Sequence, residues 1–225
     1  MIGRNDDHQP LCFLGASMKK LLLVLAGLFL FSQSSALADM ENISVSRMSG
    51  QPLLVRGDLT LPMSGDMQCQ TGDILKTTTP QCSVDMAVNG LAGCRILPLS
   101  ECVIVNGSPT DMRLKITSGN AILNLKKIPA GSSFQVETPT AVAAVRGTQF
   151  WGRVDGQNPG NPVTTFAVLE GMVEITARST GKTFTLQKGQ ALDIPADASV
   201  VPSIRPALDA ELEAMRQASS IATSA

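Results

Sequence analysis

Apolar and polar residues alternate with a period of two over most of this chain, and this pattern restricts its fold more than any other feature. The alternation runs from residue 65 to residue 195, for example at Val84, Met86 and Val88. A period of two is typical of β-strands with one buried face, since successive side chains point to opposite faces. Glycine-containing turn sequences separate these segments: Asn89-Gly90, Asn106-Gly107, Ser118-Gly119-Asn120, Glu170-Gly171 and Lys188-Gly189. Many short strands separated in this way predict an all-β sandwich, barrel or solenoid.

One segment departs from the alternation. Residues 141–145 read AVAAV, a continuous apolar run that predicts a strand buried on both faces. The run leads into Arg146, Gly147 and Thr148, and then into Phe150 and Trp151. These five residues are candidates for a structural motif or an interaction site.

Two roles are open for this motif. In the architectural hypothesis, Gly147 lets the chain bend or approach a neighbouring strand, as glycine within a strand pattern often does. Arg146 then pairs with a carboxylate or with turn carbonyls, because an unpaired buried charge is costly. The candidate partners are Glu137, Glu170 and Glu174. In the functional alternative, Arg146 is exposed and recognises an anionic group of a partner.

The N-terminal residues predict an export signal. Residues 18–38 read MKKLLLVLAGLFLFSQSSALA, so we expect cleavage between Ala38 and Asp39. The apolar stretch at 21–31 is shorter than the ~20 residues that a membrane-spanning helix needs, although a signal anchor or a buried core helix is an alternative. Met18 is a better start for such a signal than Met1. We expect the protein to be periplasmic or secreted, and to meet a membrane only during export.

The predicted organisation has four parts. Residues 1–38 are a leader and signal peptide, 39–64 an N-terminal arm with one edge strand, and 65–195 the β-domain. Residues 196–225 form a linker, a short amphipathic helix and a tail. In this helix Leu208, Leu212 and Met215 recur at helical spacing, and Pro206 suits the first turn. We expect the helix to pack on its own β-domain, with docking to a partner as the alternative.

Four cysteines follow the leader: Cys69, Cys82, Cys94 and Cys102. In an exported protein an even number of cysteines predicts disulfides, here with three connectivities. Short loop closure favours Cys69–Cys82 and Cys94–Cys102, although sheet geometry can join distant pairs. Zinc binding is the weaker alternative, because the cysteines lack CxxC spacing and histidine partners.

Composition argues against most catalytic chemistry. The single histidine, His8, lies in the leader, so the usual general base is missing from the rest of the chain. Asp73 is expected to cap a turn, with ion binding as the alternative. Charged residues make up 16% of the chain and the net charge is −1, which argues against a nucleic-acid partner. We therefore expect neither an enzyme nor a cofactor or metal site.

Four segments together resemble the FecR domain family, exported β-rich domains first associated with bacterial iron-citrate signalling. The segments are TGDILKT at 71–77, SSFQVETPTAVAAVRGTQF at 132–150, TTFAVLEGMVE at 164–174 and LQKGQA at 186–191. The central pattern, T-P-x-A-V-x-A-V-R-G-T-x-F, is specific, and the ordered set is more so.

The resemblance implies a twisted, solenoid- or roll-like all-β domain outside the inner membrane, with no catalytic residues to transfer. It also implies cell-envelope sensing, scaffolding or protein interaction, with an envelope protein or cell-wall component as partner. Signalling members carry a cytoplasmic anti-sigma segment before a membrane helix. Here only seventeen unpatterned residues precede Met18, so sigma-factor regulation is not expected. The alternative function is a periplasmic binding module for a small ligand, glycan or peptidoglycan, although 4% aromatic residues provide few rings for sugar stacking.

Overall fold

The computed structural model describes residues 41–155 and 160–217, all within the compact unit Met40–Ala225. Strands make up 58% of the structure, which confirms the all-β prediction. The expected leader and its cleavage site at Ala38 and Asp39 lie outside the described residues. The strands are β1 (Ile43–Ser49), β2 (Leu53–Arg56), β3 (Leu59–Pro62), β4 (Gln68–Cys69), β5 (Ile74–Thr77), β6 (Ser83–Val88), β7 (Ala92–Ile96), β8 (Ser100–Gly107), β9 (Asp111–Leu125), β10 (Ser133–Glu137), β11 (Ala141–Val145), β12 (Gln149–Asp155), β13 (Val163–Glu170), β14 (Met172–Ala177), β15 (Thr183–Gln187), β16 (Gln190–Pro195) and β17 (Ile204–Pro206), and the helix is α1 (Asp209–Gln217).

Hydrogen bonding joins the strands into one open network that forms two sheets. The first sheet has the order β4-β1-β6-β7-β9-β12-β13-β16-β17. The second has the order β3-β2-β5-β8-β9-β10-β11-β14-β15. Neighbouring strands are antiparallel except β9 and β10, which are parallel. The network is not closed, and the solenoid- or roll-like form stays a prediction.

Strand β9 belongs to both sheets. Residues 111–118 pair with β8 and β10 in the second sheet, and residues 119–125 pair with β7 and β12 in the first. The change of sheet falls at Gly119, whose φ is 76° and where a Cβ would lie 2.6 Å from the Cα of Ser100. Residues 118–120 therefore form a bend within one strand of fifteen residues, whereas the glycine pattern predicts a turn between two strands.

Apolar side chains from both sheets form the main core. The alternating residues Val84, Met86 and Val88 point into it and are buried, as the period of two predicts. Strand β11 differs from its prediction, because Val142 is half-buried and Ala144 is exposed. The expectation that both faces of β11 are buried is wrong, since only the inward face of the second sheet packs against the first at this point.

The segment predicted as an arm supplies three strands instead of one. Strand β1 pairs with β4 and β6 in the first sheet, and β2 forms a hairpin with β3 at the edge of the second. Ile43 and Leu54 are fully buried in the main core. Residues 43–62 therefore take part in the packing of the β-domain.

Helix α1 packs on the outer face of the first sheet, against β12 and β13, as expected of a helix that covers its own domain. Met215 is buried there beside Trp151 and Ile122. The Glu211 carboxylate accepts a hydrogen bond from the Leu208 N–H at 2.7 Å, which caps the first turn. Pro206 lies in β17 and not in the helix, because this strand pairs with β16.

Arg205 fastens the start of α1 to the sheet. Its guanidinium binds Glu211 at 2.7 Å and Asp193 at 2.8 Å. The Arg205 hydrogen bonds lower the pKa of the Asp193 carboxyl group.

Within the described ranges, no helix is long and apolar enough to cross a membrane.

Candidate functional site

The turn after β11 needs glycine at position 147. Gly147 has a φ of 73°, and a Cβ there would lie 3.1 Å from the Cα of Lys127. Gly171, in the turn between β13 and β14, lies against the backbone of Gly147, since a Cβ on Gly171 would lie 2.8 Å from the Gly147 carbonyl oxygen. Both the left-handed conformation and the close backbone approach disfavour a side chain at Gly147. This geometry is the one that the architectural hypothesis requires of Gly147.

The residues that follow are also part of the framework. The Thr148 hydroxyl donates to the Met172 carbonyl at 2.9 Å, which joins the two turns. Phe150 is fully buried in the main core, with its ring centroid 6.4 Å from that of Phe166. Trp151 points to the opposite face and lies under α1. These three candidates are therefore covered by the protein's own elements.

Arg146 differs from its neighbours. It is exposed, and its guanidinium forms no hydrogen bond or ion pair with any of the described residues. Of the predicted partners, Glu137 pairs with Arg178 at 2.8 Å, while Glu170 and Glu174 are exposed and unpaired with Arg146. The expected carboxylate pairing of Arg146 is absent because Val145 is the last core-facing residue of β11, so the next side chain points outwards.

Strands β10 and β11 separate close to Arg146. Their pairing ends at Gln135 and Ala144, whereas β10 continues beside β9 to Ser133. Strand β11 likewise continues beside β14, where Val145 lies opposite Val173. The pairing of β10 with β11 therefore ends beside Phe134 and Val145, next to Arg146.

A groove with a volume of about 330 Å³ opens where this pairing ends. Its apolar lining comes from Ile128, Phe134 and Val145, each at most 8% exposed. Ala144 contributes to the depth of the groove, because it stands between the longer Gln135 on β10 and Glu174 on β14. The remaining lining residues are Ser132, Ser133, Gln135, Arg146, Met172 and Glu174. An apolar floor with a few polar groups at its rim is the usual composition of a binding site.

A second cavity, of about 450 Å³, lies where β9 bends. Its charged residues, Arg153 and Asp155, pair with each other at 3.9 Å. In that cavity the two charges pair with each other, whereas in the groove Arg146 and Glu174 are both exposed and do not pair. The smaller groove is the better candidate for recognition of a charged partner.

The four cysteines are buried free thiols, and the described residues contain no disulfide. Strand pairing places Cys69 far from Cys82. Cys69 lies opposite Ile43 of β1, whereas Cys82 directly precedes Ser83, which lies opposite Ser49 of β1. These positions are at the two ends of β1, about 20 Å apart at ~3.3 Å per residue. Since the Cα atoms of a disulfide lie within about 7 Å, this fold excludes that pairing.

Cys94 and Cys102 point into the core from the two different sheets. Burial raises the pKa of Cys102 to about 12. Burial also raises the pKa of Cys94 well above its ordinary value, and the nearby Cys102 raises it further. Because the thiolate is the nucleophile and the metal ligand, neither cysteine is poised for these roles at neutral pH. The Cys94–Cys102 disulfide stays a prediction.

Asp73 caps a turn. Its buried carboxylate accepts hydrogen bonds from the Gln70 N–H at 2.9 Å and from the Arg56 guanidinium at 2.6 and 2.8 Å. These donors occupy the two carboxylate oxygens of Asp73, which would have to bind the ion in the alternative hypothesis. In the part of the chain that the structure describes, no group of three or more His, Cys, Asp or Glu side chains could hold a metal.

Sequence reasoning found Arg146 but missed the rest of the groove. Ile128 comes from a loop, and Met172 and Glu174 from a strand later in the chain, so only strand pairing brings them to Arg146. The one local signal is Ala144, a small residue at an outward-facing position of β11. Its significance depends on the larger neighbours across the sheet, which the sequence does not identify.

Comparisons with known proteins concern the region that contains this groove. Residues 76–174 match the family model described as FecR protein. Among solved structures, a "putative anti-sigma factor" from Parabacteroides distasonis has a TM-score of 0.53 at 12% identity, over 64% of this chain and 64% of that chain. A second structure from this organism, described in the same words, has a TM-score of 0.42 at 15% identity, over 67% and 63%. No curated protein matches the chain by sequence. The first of these structures shares the fold, and residues 76–174 of this chain are similar to the FecR family.

Proposed function

We propose that this protein is a non-catalytic regulatory module of the cell envelope that binds another protein through the groove beside Arg146. The family match supports a sensing or regulatory role, and the description of the similar structure as an anti-sigma factor points the same way. The observation that carries the proposal is the exposed, unpartnered Arg146 at the rim of an apolar groove. A guanidinium offers a planar fork of donors that matches a carboxylate or phosphate group.

The groove favours a protein partner over a glycan. A groove of about 330 Å³ would accommodate a small ligand. Its one aromatic residue, Phe134, is only 2% exposed and offers no ring face for sugar stacking. An apolar floor beside one free cation instead suits an apolar side chain with a neighbouring anionic group.

Export is part of the proposal. We infer that the chain is cleaved between Ala38 and Asp39 and acts in the periplasm or outside the cell. In that oxidising setting a disulfide oxidant would accept two electrons from Cys94 and Cys102, and Cys69 and Cys82 would remain thiols. N-terminal sequencing and non-reducing peptide mapping of the protein recovered from the envelope test these statements. A retained segment 21–31 would make it a membrane-anchored protein instead.

Partner capture tests the binding function. The tagged protein is incubated with an envelope extract, and retained proteins are quantified by mass spectrometry for wild type, Arg146→Ala and Arg47→Ala. Arg47 is the matched control, because it is also exposed and unpartnered but lies outside the groove. We expect Arg146→Ala to lose at least one partner that Arg47→Ala keeps. Equal retention by all three proteins would contradict the proposal.

A further inference from the structure

The two sheets of the described structure end in four edge strands, and one of these, β15, lacks the features that usually block pairing with an added strand. In the first sheet β4 has only two residues, and β17 has three and ends in Pro206. In the second sheet β3 ends in Pro62, which has no N–H group to donate. Short strands and edge prolines keep native sheet edges from pairing. Strand β15 has five residues and contains neither a proline nor a charged residue.

The hydrogen bonds between β14 and β15 show which main-chain groups of β15 are free. The Ala177 N–H donates to the Lys182 carbonyl at 2.9 Å, so these two residues form a hydrogen-bonded pair. In an antiparallel ladder such pairs alternate with pairs that have no hydrogen bonds. Phe184 therefore bonds to β14, whereas the N–H and C=O groups of Thr183 and Thr185 point away from it. None of the described residues bonds to these four groups.

The side chain of Phe184 specifies the residue that an added strand would place opposite it. This ring is half-buried and packs against the main core from the end of the second sheet. Because Phe184 bonds only to β14, its pair with an added strand has no hydrogen bonds, and side chains lie closest in such pairs. An apolar residue opposite Phe184 would cover the part of the ring that is still exposed to water.

Two lysines lie at the ends of this edge. Lys182 precedes β15 and Lys188 follows it, and both are exposed and form no ion pair within the described ranges. Lys182 is two residues from Phe184, so in an extended chain both side chains lie on the same face. An acidic residue two positions from the apolar one would therefore lie opposite Lys182. The acidic residue Glu174 lies opposite Thr185 on β14, one strand further into the sheet.

Charge also distinguishes a different protein from a second copy of this chain. Two copies that pair through β15 would bring four lysines together, and like charges that face each other across strands are destabilising. A partner segment with acidic residues gains attraction from the same lysines. Charge complementarity therefore favours an acidic partner segment at this edge.

We propose that β15 binds an extended segment of a partner protein, which adds a strand to the second sheet. The segment places an apolar residue opposite Phe184 and an acidic residue opposite Lys182, and it exchanges main-chain hydrogen bonds with Thr183 and Thr185. Such binding draws affinity from the main chain and specificity from alternate side chains. This edge is separate from the groove beside Arg146, so the inference goes beyond the proposed function.

Thr185→Pro tests the main-chain bonding. It removes an N–H that points away from β14, so no hydrogen bond within the described structure is lost. Thr60→Pro is the matched control on β3. The Met63 N–H donates to the Pro52 carbonyl at 2.9 Å, and by the same alternation the Thr60 N–H points to a free edge.

Lys182→Glu tests the charge. Arg47→Glu is its control, because Arg47 is exposed, has no described partner and lies on β1 in the first sheet. The emission of the single tryptophan, Trp151, shows whether each variant is folded.

The probe is a phage-displayed library of random twelve-residue peptides, selected on the full chain and counter-selected on Thr185→Pro. We expect enriched peptides with an acidic residue two positions from an apolar one. A synthetic peptide of that sequence should lose about tenfold or more in affinity with Thr185→Pro and with Lys182→Glu. Its affinity should be unchanged with Thr60→Pro, Arg47→Glu and Arg146→Ala.

Methylation of the peptide nitrogens tests the added strand directly. Only every second residue of such a strand points its N–H group toward β15. Two versions of the peptide are therefore compared, with alternate nitrogens methylated in one register or in the other. We expect one version to lose binding and the other to keep it, whereas equal affinities of the two versions would contradict strand addition.

Three further results would overturn this inference. One is that no peptide is enriched, and another is that enriched peptides bind Thr185→Pro as tightly as wild type. The third is a wild-type dimer that Thr185→Pro lacks, because the edge then pairs with a second copy. Peptides that need Arg146 but not Thr185 would belong to the groove, which leaves the proposed function intact and contradicts only the role of β15. If partner capture does not depend on Arg146 while peptide binding depends on Thr185, the proposed function fails and the role of β15 stands.

Discussion

In the turn after β11, two adjacent residues have different physical roles. Gly147 is fixed by a positive φ and by the backbone of Lys127, whereas the side chain of Arg146 has no described partner. The two effects at Gly147 can be separated, because Gly189 also has a positive φ, of 79°, but no atom within 4 Å of its Cβ position. A comparison of these glycines isolates the cost of the close backbone approach.

Gly147→Ala should therefore lower the free energy of unfolding by about 1 kcal/mol more than Gly189→Ala, and Arg146→Ala should change it by less than about 0.5 kcal/mol. Both alanine variants at glycine positions carry the strain of a left-handed conformation, but only the first meets the Lys127 backbone. Denaturant unfolding followed by Trp151 fluorescence measures all three values. Equal losses of unfolding free energy at the two glycine positions would mean that the backbone of Lys127 can shift to accept the added methyl group.

The raised pKa of Cys102 predicts a pH dependence of stability in the reduced protein. An unfolded thiol loses its proton near pH 9, whereas burial keeps folded Cys102 protonated up to about pH 12. The unfolded state is therefore favoured as the pH rises between these values. The contribution of Cys102 is complete below pH 9, falls by about 1.4 kcal/mol per pH unit above it, and is lost by pH 12.

We expect Cys102→Ala to reduce the slope of unfolding free energy against pH between 9 and 11. Ile104→Val on the same strand is the control, since it removes core volume but no titrating group. It should lower stability equally at every pH. Parallel curves for wild type and Cys102→Ala would show that Cys102 does not titrate in this range, as in a disulfide.

At the scale of the secondary-structure elements, α1 covers an apolar patch on the first sheet. Met215 is fully buried against Trp151, whereas Leu208, just before the helix, is 59% exposed. Met215→Ala should cost about 2–4 kcal/mol of stability and shift Trp151 emission to longer wavelength, because it opens this contact to water. Leu208→Ala, the control, should change neither quantity. Unchanged emission in Met215→Ala would mean that α1 does not shield the indole ring.

Periodicity predicted the class of most elements but not their exposure. Val84, Met86 and Val88 recur at every second position, so their burial follows from the pattern, whereas the burial of Asp85 and Ala87 between them does not. In β11, however, every residue is apolar, and the pattern cannot show that Ala144 faces outwards. Burial there depends on whether another layer covers the outer face, which is a property of the assembled sheets. For the same reason the pattern does not predict the groove, because its walls come from strands that are distant in sequence.

At the scale of the whole molecule, the two sheets share β9 and should unfold together. Trp151 lies in the first sheet and Cys102 in the second, so each residue reports on one sheet. We expect Trp151 fluorescence and Cys102 alkylation to give the same denaturant midpoint, because loss of β9 removes a central strand from both sheets. Alkylation is measured in a variant whose other cysteines are alanine. Separate midpoints would show that the sheets are independent units.

Strand β9 also determines when a growing chain can fold. Its partners β7 and β8 are made before it and β10 and β12 after it, so neither sheet has its central strand until Leu125 has been synthesised. Pairing between such distant segments is slow compared with formation of local structure. A nascent chain therefore completes neither sheet while the export signal that we propose at its N-terminus has already been synthesised. This delay favours capture by a translocation machinery that accepts only unfolded polypeptides.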